Sequence, residues 1–244
     1  MIIKKRSYPF KVYSQDVDFQ GKSTLMALGN MLLSTAGYNA DDNGFGMKKM
    51  HEMNSAWVLT KLALEVEQFP QEYEEVHVET WVEEVERITT TRNFTIKDVH
   101  GNIIGNAGSH WVMIDMQTRR IKDLETLEGL RNYADNVASL IESPIKLTPI
   151  QGELIDTFKV KYNDIDINGH ANSVRYIEWV TNCFSIDFYR EKELKRFEIN
   201  YISEALFGES LEIFQEEIAA DDFRFEIRKN GKIACRARMV MRSR

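Results

Sequence analysis

Between Asp166 and Asn172 the chain packs one carboxylate, two carboxamides and an imidazole into a single short run, Asp166-Ile167-Asn168-Gly169-His170-Ala171-Asn172. A helical pattern starts at once after it, and a second carboxylate, Glu204, follows in Tyr201-Ile202-Ser203-Glu204-Ala205. A carboxylate or imidazole can polarise water, a carboxamide can orient it, and N–H groups at a helix N-terminus can receive a developing oxyanion. These are the parts that hydrolysis of an ester or thioester uses. Asp166, Asn168, His170 and Glu204 are the candidate catalytic residues, and the backbone near Ala171 and Asn172 is the candidate oxyanion site. Either carboxylate can act as base, directly or through His170, and the sequence leaves that choice open, along with whether an acyl-enzyme forms.

Plainer readings account for less. An Asx-turn and helix N-cap explain Asn172 by itself, but not a histidine in the same turn or a carboxylate downstream. Asp164-x-Asp166-x-Asn168-Gly169 matches the opening of an EF-hand loop, yet the position that must supply a bidentate glutamate holds Arg175. Asp166, His170 and Glu204 could in principle bind a transition metal, but His51, His77, His100 and His110 show no pairing with His170. Neither cysteine adjoins a histidine; Cys183 falls on an apolar helix face and Cys235 in a strand, so both read as core. The expectation is chemistry without a metal or cofactor.

The elements that must position these residues show a repeat. Asp16-Val17-Asp18-Phe19-Gln20-Gly21-Lys22 parallels Asp164-Ile165-Asp166-Ile167-Asn168-Gly169-His170 at a constant offset of 148 residues (164 − 16). A helix follows each copy, with Leu25, Leu28, Leu32 and Ala36 on one face of the first. Val174, Ile177, Val180 or Thr181, Phe184 and Phe188 line one face of the second. Four strand-like runs then follow in each half: 57–66, 76–82, 89–99 and 103–116 in the first, 197–201, 210–218, 223–228 and 232–241 in the second. Gly101-Asn102 and Asn230-Gly231 mark hairpin turns. Each half therefore reads as a helix on a four-stranded antiparallel meander, an α+β unit. The segment 124–141 looks helical, and breaks at Ser143-Pro144 and Thr148-Pro149 place the linker. The boundaries are 1–130, a linker over 131–152, and 153–244. The copies differ where it matters, with Gln20 and Lys22 standing against Asn168 and His170, so one copy keeps the chemistry and the other serves another role.

The 244 residues are 43% hydrophobic and 28% charged, with net charge −7. Such a chain suits a globular fold and not general nucleic-acid binding. After Met1-Ile2-Ile3 and Lys4-Lys5-Arg6 no apolar run approaches a signal peptide or a membrane span; the expected setting is the cytoplasm, with no membrane partner.

The residues resemble the acyl-acyl carrier protein thioesterases of plant plastids and bacteria. The family signature D-x-N-x-H-x-N, then Y-I-x-W and a downstream Glu, matches Asp166, Asn168, His170, Asn172, Tyr176-Ile177-x-Trp179 and Glu204. The first half adds Gly44-Phe45-Gly46, Trp57-Val58, Glu79-Thr80-Trp81-Val82, Trp111-Val112-Met113 and Thr118-Arg119-Arg120. The resemblance implies two tandem hotdog domains, each an antiparallel sheet wrapped around a long helix. It implies catalysis in the C-terminal one, and an acyl pocket in the N-terminal one, where Met26, Leu28 and Trp57 are candidates. It implies release of a fatty acid from acyl carrier protein; rival readings are an acyl-coenzyme A thioesterase, a hydroxyacyl dehydratase or an inactive acyl-binding module. Plant members carry a Cys after the downstream Glu where this chain has Ala205, which favours attack by water over a thiol. An acidic carrier calls for a basic face, for which Lys192, Lys195, Arg196, Arg236, Arg238, Arg242 and Arg244 are candidates beside the plainer reading of a solvated charged surface. A homodimer is left open.

Overall fold

The computed structural model describes residues 4–244, so the leader reading over Met1-Ile2-Ile3 lies outside the described residues. The chain divides into two compact units. One comprises the chain to Leu62 with Val66–Ser143, the other Ala63–Glu65 with Pro144–Arg244.

In the first unit, strands β1 (Lys5–Lys11), β2 (Ser55–Val66), β3 (Glu75–Val85), β4 (Thr90–Asp98) and β5 (Ile103–Asp115) lie in the order β1-β3-β4-β5-β2. The β1–β3, β3–β4 and β4–β5 pairs are antiparallel. Helix α1 (Leu25–Asp42) is 18 residues long and capped by Thr24, whose side chain accepts the Ala27 N–H. Its stripe Leu25, Leu28, Leu32 and Ala36 is buried as the spacing predicts. Full burial of each leucine contributes about 1.5–3 kcal/mol. Helix α2 (Met47–Glu52) follows, and Met50 joins Val82, Val85, Met113, Leu124, Leu127 and Leu130 in a core cluster.

In the second unit, β6 (Glu153–Lys159), β7 (Lys192–Tyr201), β8 (Ser210–Ala219), β9 (Asp222–Lys229) and β10 (Lys232–Ser243) lie in the order β7-β10-β9-β8-β6, all neighbours antiparallel. Phe197, Ile199, Phe225, Ile227 and Ala237 are fully buried. Here the helix is shorter: α3 (Ser173–Thr181) has nine residues, and α4 (Ile186–Glu191) restarts after it under a Ser185 cap.

Three expectations are corrected. Each unit has five strands, not four. Beta1 and β6 were hidden because they are short, charged and largely exposed, so neither shows a core face. The apolar face running from Val174 to Phe188 belongs to two helices, because Ser185 takes the Phe188 N–H and starts a new one. The segment 124–141 is not a long helix: it holds two short 3₁₀ turns, Leu124–Thr126 and Leu130–Tyr133. Gly129 and Asn136 adopt left-handed backbone there. The carbonyls of Ala134 and Val137 go to Lys4 and Trp81 side chains instead of a helical ladder. Farther on, Asn200, Arg236 and Arg224 hold the segment 144–150 to the second unit through Ile145, Leu147 and Thr148.

Candidate active site

The loop between β6 and α3 is built around one side chain. Asp166 Oδ1 accepts the N–H of Asn168 at 2.8 Å and of His170 at 3.3 Å, which folds the run into an Asx-turn. The Asp166 N–H donates to the His170 carbonyl and the Gly169 N–H to the Asp166 carbonyl. Gly169 sits at φ +81°, a conformation glycine adopts without a Cβ penalty. Asp166 Oδ2 has no donor among the described residues, so the same carboxylate shapes the loop with one oxygen and offers the other. Asn172 closes the loop as the N-cap of α3, accepting from the Val174 N–H.

The turn presents His170 toward Glu204. Nε2 of His170 lies 3.2 Å from Oε2 of Glu204, with both side chains partly open to solvent. The Glu204 segment is held on several sides. The Ala205 carbonyl accepts the Ala171 N–H at 2.8 Å, and His170 bridges Leu206 as an antiparallel pair. Lys229 Nζ reaches the Glu204 carbonyl at 2.7 Å and the Glu209 carboxylate at 2.9 Å. The buried Tyr176 Oη accepts the Ala205 N–H at 3.2 Å. Tyr176 stands in the Tyr176-Ile177-x-Trp179 run, where nothing in the local sequence points to this contact.

One placement from sequence does not survive. The N–H groups of Ala171 and Asn172 cannot receive an oxyanion as they stand, because they donate to the carbonyls of Ala205 and Asp164, each at 2.8 Å. The exposed Asn168 carboxamide makes no hydrogen bond to the described residues and is the donor free to do so. Cys235 is buried and Cys183 partly so. Burial pushes the Cys183 thiol up to about 12 and raises Cys235 further still, so neither forms the reactive thiolate at neutral pH.

The candidate basic face is a paired surface. Lys192 meets Asp221, Arg196 meets Glu198, Arg236 meets Glu226, Arg238 meets Asp222, and Arg242 and Arg244 both meet Glu193. Lys195 stays exposed. Cations neutralised in this way offer an acidic partner little net field, which favours the plainer reading of a solvated charged surface.

The first unit carries the same loop almost bond for bond. Asp18 Oδ1 accepts from the N–H groups of Gln20 and Lys22, at 2.8 and 3.1 Å. The Asp18 N–H goes to the Lys22 carbonyl, Gly21 sits at φ +74°, and the Ser23 N–H donates to the Pro70 carbonyl as Ala171 does to Ala205. Lys22 bridges Gln71 as His170 bridges Leu206. This register sets Lys22 against His170, Phe69 against Glu204 and Leu28 against Tyr176. The scaffold is kept in the first unit and its imidazole and carboxylate are not.

Antiparallel strands packed with helices in each unit make an α+β protein, and an Asx loop in the second unit brings an imidazole to a carboxylate. Residues 4–127 match the acyl-ACP thioesterase N-terminal domain and residues 147–243 the C-terminal domain. The chain belongs to the acyl-ACP thioesterase family. It is 39% identical to an acyl-ACP thioesterase from Bacteroides thetaiotaomicron of known structure, with a TM-score of 0.90 and 98% of each chain covered. The 12:0-ACP thioesterase from Umbellularia californica, 20% identical, shares the fold at a TM-score of 0.87, over 100% of this chain and 99% of that one. Oleoyl-acyl carrier protein thioesterase 2 of Arabidopsis thaliana, a chloroplastic protein, is 29% identical over 215 residues, covering 79% of this chain and 57% of its own. The chain spans about half the length of the curated relatives it matches. Among the described residues no helix is long and apolar enough to cross a membrane.

Proposed function

We propose that this protein hydrolyses the thioester of fatty acyl-acyl carrier protein, releasing the free fatty acid and ending chain elongation. The observation that carries the reading is the His170–Glu204 contact on positions where the family signature places its reactive groups. Glu204 and the open oxygen of Asp166 are the groups available to take a proton from water. The water oxygen attacks the acyl carbon, and the Asn168 carboxamide donates to the oxyanion. Collapse breaks the C–S bond, and the proton taken from water passes to the departing thiolate through His170. A thiolate is a good leaving group, so this last transfer asks least of the site.

The proposed division is an N-terminal hotdog over 1–130 that holds the acyl chain, a linker over 131–152 and a catalytic hotdog over 153–244. It is supported by the presence of the His–Glu pair in the second unit and its replacement by Lys22 and Phe69 in the first. The candidates for its apolar wall are the fully buried Leu28, the partly buried Met26, and Trp57, whose Nε1 donates to the Phe45 carbonyl at 2.9 Å. The test is thiol release across a series of acyl chain lengths, each presented on carrier protein and on coenzyme A. A higher kcat/KM on carrier protein is expected. Equal or better turnover on coenzyme A would make the protein an acyl-coenzyme A thioesterase, and binding of acyl chains without thiol release would make it a binding module.

A further inference from the structure

The two units differ at a coupled pair of positions next to the reactive carboxylate, and the difference has a chemical sense. In the second unit Ala205, directly after Glu204, has an N–H pointing into the core, and Tyr176 Oη accepts it at 3.2 Å. Both residues are buried, Ala205 wholly and Tyr176 all but 2%. In the first unit the matching positions are Pro70, which has no N–H, and Leu28, which has no hydroxyl. Where the carboxylate is replaced by Phe69, donor and acceptor have both gone. Each unit is internally consistent, since a buried N–H without an acceptor would be costly.

We infer that Tyr176 is a positioning residue for Glu204: its hydroxyl fixes the Ala205 peptide and thereby aims the carboxylate at His170 and the attacking water. This rests on the thioesterase reading above. Tyr176 lies on the first full turn of α3, at the fourth position after the Asn172 cap, so the helix that closes the Asx loop also grips the Glu204 segment. Its ring is wedged against Trp179 and Tyr201, with centroids 4.8 and 5.7 Å away, and Tyr201 Oη is itself tied to the Ser173 carbonyl at 2.9 Å. The hydroxyl therefore has little room to move. Burial raises the Tyr176 phenol well above its ordinary range, so it stays protonated and takes no part as a base.

The test is Tyr176→Phe, which deletes one oxygen and keeps the ring. The thermal midpoint should fall modestly, because the buried Ala205 N–H loses its acceptor, and KM should match that of the parent, while kcat falls about 10²-fold, the loss expected when a reacting group is displaced by an ångström. Adding Tyr176→Phe to Glu204→Gln should lower kcat no further, because the two act through one carboxylate. An unchanged kcat, a proportional change in KM, or a double variant that multiplies the two losses would overturn the inference. Amide hydrogen exchange supplies a readout independent of turnover. In Tyr176→Phe the Ala205 amide should exchange at least about 10-fold faster while the Ala171 amide keeps its rate; an unchanged Ala205 rate would also overturn it. A parent enzyme that releases no thiol would sink the thioesterase reading and leave the exchange result to judge the Tyr176 contact.

Discussion

At the scale of single residues, the two carboxylates differ in how they are held. Asp166 divides its oxygens between loop and site, whereas Glu204 faces His170 directly. Asparagine can still accept the Asn168 and His170 N–H groups, so Asp166→Asn should fold with its parent's melting temperature and lose only the charge. Its kcat should fall by roughly 10²–10⁴, the range for losing general-base assistance. Asp166→Ala loses the loop bonds as well and should also melt at a lower temperature. Paired measurements of kcat and thermal midpoint separate the two effects; a fully active Asp166→Asn enzyme would leave the base role to Glu204. Cys183→Ala and Cys235→Ala should change stability and leave kcat unaltered, since burial holds both thiols protonated. The residue types of the loop were legible in the sequence because an Asx-turn and an imidazole beside it are local signals, and Glu204, 34 residues on (204 − 170), was tied to them by the family signature. The occupied N–H groups of Ala171 and Asn172 were not, because their acceptors Ala205 and Asp164 come from chain geometry that no local pattern encodes.

At the scale of elements, the loop is the unit of design. Lys22→Ala removes a side chain but none of the backbone bonds of its turn, so kcat should be retained. Asp18→Ala removes the acceptor of two N–H groups and should lower stability by about 1–3 kcal/mol with little effect on kcat. Chemical denaturation beside thiol-release kinetics checks both, and a dead Lys22→Ala enzyme would contradict the division of labour. The central strands and hairpins were readable from alternation and from Gly101 and Asn230-Gly231, whose backbone is left-handed as those turns require. The edge strands were not, because β1 and β6 bury almost nothing. The false helix over 124–141 arose from apolar spacing that serves a different end: Leu124, Leu127 and Leu130 do enter the core, but on consecutive short turns around Gly129.

At the scale of the whole chain, ion pairs on the strands of the second unit bear on acid stability. Glu226 is only 1% exposed and lies between Arg236 and Arg228 at 2.7 and 2.6 Å. Burial by itself would raise its pKa, but the hydrogen bonds and charges of the two arginines outweigh it and hold the carboxyl below the usual glutamate range. A carboxyl depressed in the folded state contributes stability that is fully present above its unfolded pKa of about 4.3. That contribution is lost as pH falls through the lower, folded value. Glu226→Gln should therefore destabilise at pH 7 by about 3–5 kcal/mol, since two arginines lose their counter-charge. The gap to the parent should narrow as pH drops below 4. Urea unfolding at pH 7 and pH 3 measures it, and a gap that stayed constant would show that the carboxylate charge does not matter there.

The twin loops also bear on how such a chain changes over time. A fold whose turn geometry is kept by Asp18 and Gly21 without the reactive groups is a spare copy, free to drift in chemistry while its shape is retained. Gln20, Lys22, Leu28, Phe69 and Pro70 stand in the first unit where the second has Asn168, His170, Tyr176, Glu204 and Ala205. A designer who exchanged those residues would set an imidazole opposite a carboxylate on the first unit's loop. Such a change would put polar groups at Leu28 and Phe69, both now buried apolar side chains, so an added imidazole–carboxylate pair and the apolar packing of the first unit compete for the same few positions.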